Sequence, residues 1–280
     1  MAVLVLGACS DAGSPANNAP SNNAPADASQ DAANDISDES DDSDAGDGDT
    51  GSDADTSDAD SADTDSSDAG DATDDEVPLA GFGEIEGQCG VLDDELTTDD
   101  SYYIVNRIDF GADPYDDGDE SLLTEGGREI LADGNAGGSS VLSEVFAYEV
   151  LERCELATLL KSETEISYTT SDSKLADMLV EIDTLKIGVS VTRAVGWPRD
   201  DPYTVEQARS LLEDKFSDIQ DSTANVAAED AWTKQILHVI AYEDEHATSL
   251  ETAYGQLDAS VTADSVVFVT VTDGDDAFLY

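Results

Sequence analysis

Residues 174–182 read Lys174-Leu175-Ala176-Asp177-Met178-Leu179-Val180-Glu181-Ile182. After Asp183-Thr184 the chain continues Leu185-Lys186-Ile187-Gly188-Val189-Ser190-Val191-Thr192. In the second segment Ile187, Val189 and Val191 alternate with Gly188, Ser190 and Thr192, the period-two pattern of a strand. After Lys174 the first is apolar apart from Asp177 and Glu181, and the break between the two is short enough for a tight turn. Strands are therefore expected at 176–183 and 185–192, preceded by a third at 163–169. Upstream, Gly137-Gly138-Ser139-Ser140 supplies N-cap residues for a helix running to about 153. Its residues Leu142, Val145, Phe146, Glu149 and Val150 share or border one face, with Glu144 in the first turn. Downstream, Asp201-Pro202 punctuates the chain and Thr204-Val205-Glu206-Gln207 fits a capping box. The helix it opens carries an apolar stripe of Val205, Ala208, Leu212 and Ile219, on which Lys215 also lies. A strand at 235–242, a helix at 246–257 and a Val-rich strand at 265–272 follow. The order α-β-β-β-α-β-α-β predicts an α/β domain, a mixed sheet with helices on both faces.

That order resembles the restriction-endonuclease-like PD-(D/E)XK fold, whose core runs αβββαβ. In that family an aspartate on the second core strand precedes a Glu-x-Lys on the third, the carboxylates bind magnesium, and the lysine helps activate water for phosphodiester cleavage. The resemblance spans about 139–272 and places Asp177 at the aspartate, the candidate metal ligand. Ser190 and Thr192 stand at the Glu-x-Lys positions, and neither replaces a metal-binding carboxylate or an ammonium. Some members of the family carry these groups on neighbouring elements. By that analogy Glu144 or Glu149 on the first helix and Lys215 on the second are the candidate catalytic partners of Asp177. A plainer reading has the Lys215 stem covering the sheet while its ammonium pairs with Asp177, with Arg193 as another candidate partner.

Other constellations are sparser. His238 and His246 have no metal-like pairing and read as structural histidines. No G-x-S-x-G, H-E-x-x-H or Walker-type loop occurs in the sequence. The acidic stretch Asp113-Pro114-Tyr115-Asp116-Asp117-Gly118-Asp119-Glu120 reads as a solvated turn. Trp197, in the loop before the second helix, would mark a partner surface if exposed.

Charge bounds the function. The 280 residues carry 66 acidic and 11 basic side chains, a formal charge of −55. Residues 1–106 hold 29 of the acids and none of the bases, and 107–280 hold 37 acids against 11 bases, a balance of −26. Nucleic-acid binding rests on neutralising phosphates with Lys and Arg, so no nucleic-acid partner is expected.

The chain opens Met1-Ala2-Val3-Leu4-Val5-Leu6-Gly7-Ala8-Cys9-Ser10, and Leu6-Gly7-Ala8-Cys9 resembles a bacterial lipobox, in which the cysteine is lipidated after signal cleavage. The basic n-region of such signals is missing here, and a start assigned too far downstream would account for that. Residues 10–76 are almost wholly Asp, Ser, Ala, Gly, Asn, Thr and Pro, with Ile36 the one large apolar residue. Such a stretch cannot bury enough apolar surface to offset ordering, so it is expected to be a disordered tether. Cys89 and Cys154 remain, to form a disulfide in an exported compartment or to stay as two buried thiols.

The expected organisation is thus a signal segment 1–9, a tether 10–76, a loop-rich part 77–136 and an α/β core 137–280. The expected protein is an exported lipoprotein held to the cell envelope, a non-catalytic binding or structural module for an unidentified protein or small molecule, needing no cofactor. A bacterial outer membrane is the expected site. The alternative is a secreted hydrolase using magnesium with migrated catalytic groups.

Overall fold

The computed structural model describes residues 82–135, 141–199 and 201–280. Cys9, the 10–76 tether and the N-cap residues Gly137 to Ser140 lie outside the described residues. A single seven-stranded sheet organises the described part, in the order β1-β2-β7-β6-β5-β4-β3. The strands are β1 (Glu84–Gly87), β2 (Tyr102–Asp109), β3 (Thr158–Ser162), β4 (Met178–Ile182), β5 (Leu185–Ala194), β6 (Lys234–Ala241) and β7 (Val266–Asp273). The middle four, β2, β7, β6 and β5, run parallel, while β1, β4 and β3 attach antiparallel to their inner neighbours.

The helices are α1 (Glu125–Asp133), α2 (Val141–Glu155), α3 (Val205–Asn225), α4 (Asp244–Tyr254) and the single turn α5 (Ala259–Thr262). Two separate cores show how they are layered. Val145, Phe146 and Val150 of α2 pack on Met178, Val180, Ile187, Val189 and Ile236. Leu212, Phe216 and Ile219 of α3 and Leu250 of α4 pack on Leu237, Val239, Val267 and Val269. Alternate residues of one strand thus feed opposite cores, which places α2 on one face and α3 with α4 on the other. Every residue of β6 is buried, which explains its near-continuous apolar sequence.

Most expected elements form, with shifted ends. The strand expected at 163–169 is a correction: β3 lies earlier, and Glu163–Glu165 is a 3-10 turn. Ser162 opens that turn with a capping box, its backbone N–H donating to Glu165 Oε2 at 3.3 Å. The turn between β4 and β5 places both Asp183 and Thr184 in the left-handed region, at φ of 49° and 69°. On α3 the capping box forms, Gln207 N–H donating to Thr204 Oγ1 at 3.2 Å. Phe216 completes its buried stripe and Lys215 sits half-buried at the margin.

The part expected to be loop-rich contributes three elements. β2 lies inside the edge strand β1, and α1 packs on α2. In α1 a Cβ on Gly127 would fall 2.0 Å from Glu149 Oε1, so a side chain there would displace the Glu149 carboxylate. The acidic stretch ends in a 3-10 turn, Asp117–Leu122, opened by an Asp116–Asp119 capping box. A disulfide joins Cys89 to Cys154, with Cα atoms 4.6 Å apart. Beside it the Glu155 carboxylate accepts the backbone N–H groups of Gly90, Val91 and Leu92 at 2.9–3.0 Å, fastening the segment after β1 to the end of α2.

Candidate functional site

Asp177 lies one residue before β4. Its N–H donates to Val189 O at 2.9 Å, and its Oδ2 accepts the Val191 N–H at 2.6 Å. The carboxylate therefore meets a β5 donor beyond the last paired residues, Met178 and Val189. Burial pushes its pKa up to about 6. The Val191 N–H and the Lys215 ammonium act to lower it, and the Glu163 carboxylate acts to raise it.

Asp177 shares the strand parity of Leu179, which packs with Ile166, Ala176, Tyr168 and Trp232 beside the end of α3. That is the α3 side of the sheet, and there the Lys215 charge reaches Asp177. The two form no ion pair within 4 Å among the described residues. Ser190 is buried on the same side of the sheet, with Thr192 two residues on. Arg193 instead donates to Leu279 O at 2.9 Å.

Glu144 and Glu149 belong to the other layer. Glu149 is fully buried at the start of α1, where its Oε1 accepts Thr124 N at 2.7 Å and Thr124 Oγ1 at 2.9 Å. Its Oε2 pairs with Arg153 at 3.0 Å. Burial raises its pKa, opposed by Thr124 and Arg153. Glu144, also buried, accepts Asn135 Nδ2 at 2.6 Å. The packing places these carboxylates on the α2 side of the sheet and Asp177 on the α3 side.

The acid near Asp177 that sequence reasoning missed is Glu163, because its segment read as a strand rather than a capped turn. A second group escaped it as well. The exposed carboxylates of Glu129, Asp133 and Glu165 offer oxygens within 4.8 Å of one another. All three are open to solvent, as acidic surface groups commonly are.

The histidines are structural in their surroundings. His238 is fully buried on β6, its Nε2 2.8 Å from Thr270 Oγ1, and Thr270 donates onward to Asn106 Oδ1 at 2.7 Å. Since the hydroxyl's one proton goes to Asn106, Nε2 must be the donor, and Nδ1 is left without a partner. Burial holds this imidazole neutral, with its pKa lowered to about 3. His246 packs against Tyr203 and Tyr242.

At the carboxyl ends of β2, β7 and β6 lies a crevice of about 320 Å³, lined by Arg107, Tyr242, Asp244, Thr272, Asp273 and Asp276 among others. Open α/β sheets bind ligands at such ends. Here Arg107 bridges Asp244 and Asp273, so its charge is already engaged.

No protein-family model and no solved structure matches the chain. Over 154 residues it is 40% identical to the AAC-rich mRNA clone AAC4 protein of Dictyostelium discoideum. That stretch is 53% of this chain but 22% of the relative's length, so the likeness covers only a small part of that protein.

Proposed function

We propose that the domain is a non-catalytic binding or structural module on a restriction-endonuclease-like scaffold, exported and held to a bacterial outer membrane through lipidated Cys9 and the acidic tether. The observation that carries the non-catalytic reading is the state of Asp177. Its carboxylate is desolvated and bonded to a β5 backbone donor, with Ser190 and Thr192 beside it on the strand that would need a carboxylate and a lysine. The element order α2-β3-β4-β5-α3-β6, with β5 parallel to β6, supports the scaffold by analogy.

The juxtaposition of Asp177 with the charges of Glu163 and Lys215 favours the second reading, a magnesium-dependent hydrolase. Incubation of the chain with DNA or RNA and magnesium or manganese separates the two. No cleavage is expected. Cleavage abolished by both Asp177→Ala and Lys215→Ala overturns the non-catalytic reading. For the anchor, mass spectrometry of the exported protein is expected to find acylated Cys9 at the mature N-terminus, and an unprocessed Met1 there refutes it.

A further inference from the structure

Where the acidic 3-10 turn meets the start of α2 there is a groove of about 480 Å³, lined by Tyr115, Asp116, Asp117, Leu142 and Phe278. Its floor is aromatic. The Tyr115 and Phe278 rings lie 5.9 Å apart, and each packs 5.3 Å from Phe146 beneath. Leu142 and Phe278 remain half-exposed, so apolar surface is open at this point.

The rim is acidic and fixed in place. Asp116 and Asp119 bond each other's turn through the capping box, Asp116 Oδ1 accepting Gly118 N at 2.6 Å and Asp119 Oδ2 accepting Asp116 N at 3.0 Å. Asp117 and Glu120 are exposed on that turn. None of the ion pairs among the described residues reaches any of the four. The negative field extends onto the floor, since burial first and then Glu120, Asp117 and Asp119 raise the Tyr115 pKa.

We infer that this groove docks a basic peptide segment bearing one large apolar side chain. The cavity suits a side chain of leucine to tryptophan size, the aromatic floor supplies the apolar contact, and the uncompensated carboxylates supply the attraction for lysine or arginine beside it. The same carboxylates repel phosphate groups, which disfavours a lipid or nucleic-acid occupant. This deepens the binding-module reading and rests on it.

The test uses the full chain and two labelled octapeptides, each with four lysines and three glycines. One carries a central p-benzoylphenylalanine and the other a serine. Attraction to the acidic tether is common to both peptides, so the difference between them reads the groove. The apolar peptide is expected to bind about tenfold more tightly, the worth of roughly one buried side chain. Irradiation is expected to cross-link it to the 115–117 turn, Leu142 or Phe278. Two exposed changes together, Asp117→Lys and Glu120→Lys, are expected to weaken binding about tenfold, and Leu142→Gln about fivefold. Circular dichroism of each variant checks that it is folded. Cross-links confined to 10–76 or to another face, equal binding of the two peptides, or binding that the folded variants leave unchanged each overturn the inference. The nuclease assay reads independently of all of these, so the two readings fail separately.

Discussion

Replacing Asp177 with asparagine removes a half-buried charge while keeping a side-chain oxygen to accept the Val191 N–H. The carboxyl moves from an ordinary pKa of 3.8 to about 6 on folding, chiefly through burial. At about 1.4 kcal/mol per pKa unit, holding the ionised form in the folded protein costs about 3 kcal/mol above pH 6. The sign follows from proton binding. The folded chain holds this proton more tightly than the unfolded chain, so the Asp177 contribution to stability improves as pH falls from above 6 towards 4. Only the difference between wild type and variant isolates Asp177. Urea denaturation at pH 7.5 is expected to show Asp177→Asn more stable than wild type, by up to about 3 kcal/mol, with the gap falling to about 1 kcal/mol at pH 4.5 and closing below the ordinary pKa of 3.8. Asp177→Ala leaves the Val191 N–H unpaired and is expected to fall below the asparagine variant by about 1–3 kcal/mol at either pH. An asparagine variant less stable than wild type at pH 7.5 refutes the reasoning. The charge would then be stabilising, and Lys215 would be a true ion-pair partner rather than a neighbour.

Two further outcomes follow from the backbone and the cross-link. Cys154→Ser opens a loop between residues 65 apart and is expected to cost on the order of 4 kcal/mol by chain entropy, read as a lower urea midpoint; an unchanged midpoint contradicts it. Thr184→Gly relieves a β-branched residue held at φ 69°, and a gain of about 1 kcal/mol in the same assay is expected, whereas a loss would mean that the threonine side chain holds the turn.

Local chemistry was readable where it is self-contained. The Thr204–Gln207 capping box, the alternation of Ile187, Val189 and Val191, and the tight turn at Asp183-Thr184 depend on residues within one or two turns of each other, and all appear in the structure. α1 was not readable, because Gly126 and Gly127 weaken its helical signal. Their reason for being there is room for Tyr148 and Glu149, which arrive from another helix. β1 was missed because an exposed, mostly polar edge strand of four residues has no apolar face to announce it.

From the sequence alone came the element types, the acid-rich composition and the short list of charged residues lying on apolar stripes. Only the tertiary structure decided which of those residues meet. Periodicity says that a face is covered, but not which side of the sheet its helix lies on. Glu149 and Lys215 looked like equivalent candidates until α2 and α3 took opposite faces. Glu149 then found Thr124 and Arg153, while Asp177 was left with a backbone N–H, Glu163 and a distant ammonium. A buried charge is settled by whichever partners the packing brings within a few ångströms, and those partners come from chain segments that no local pattern links.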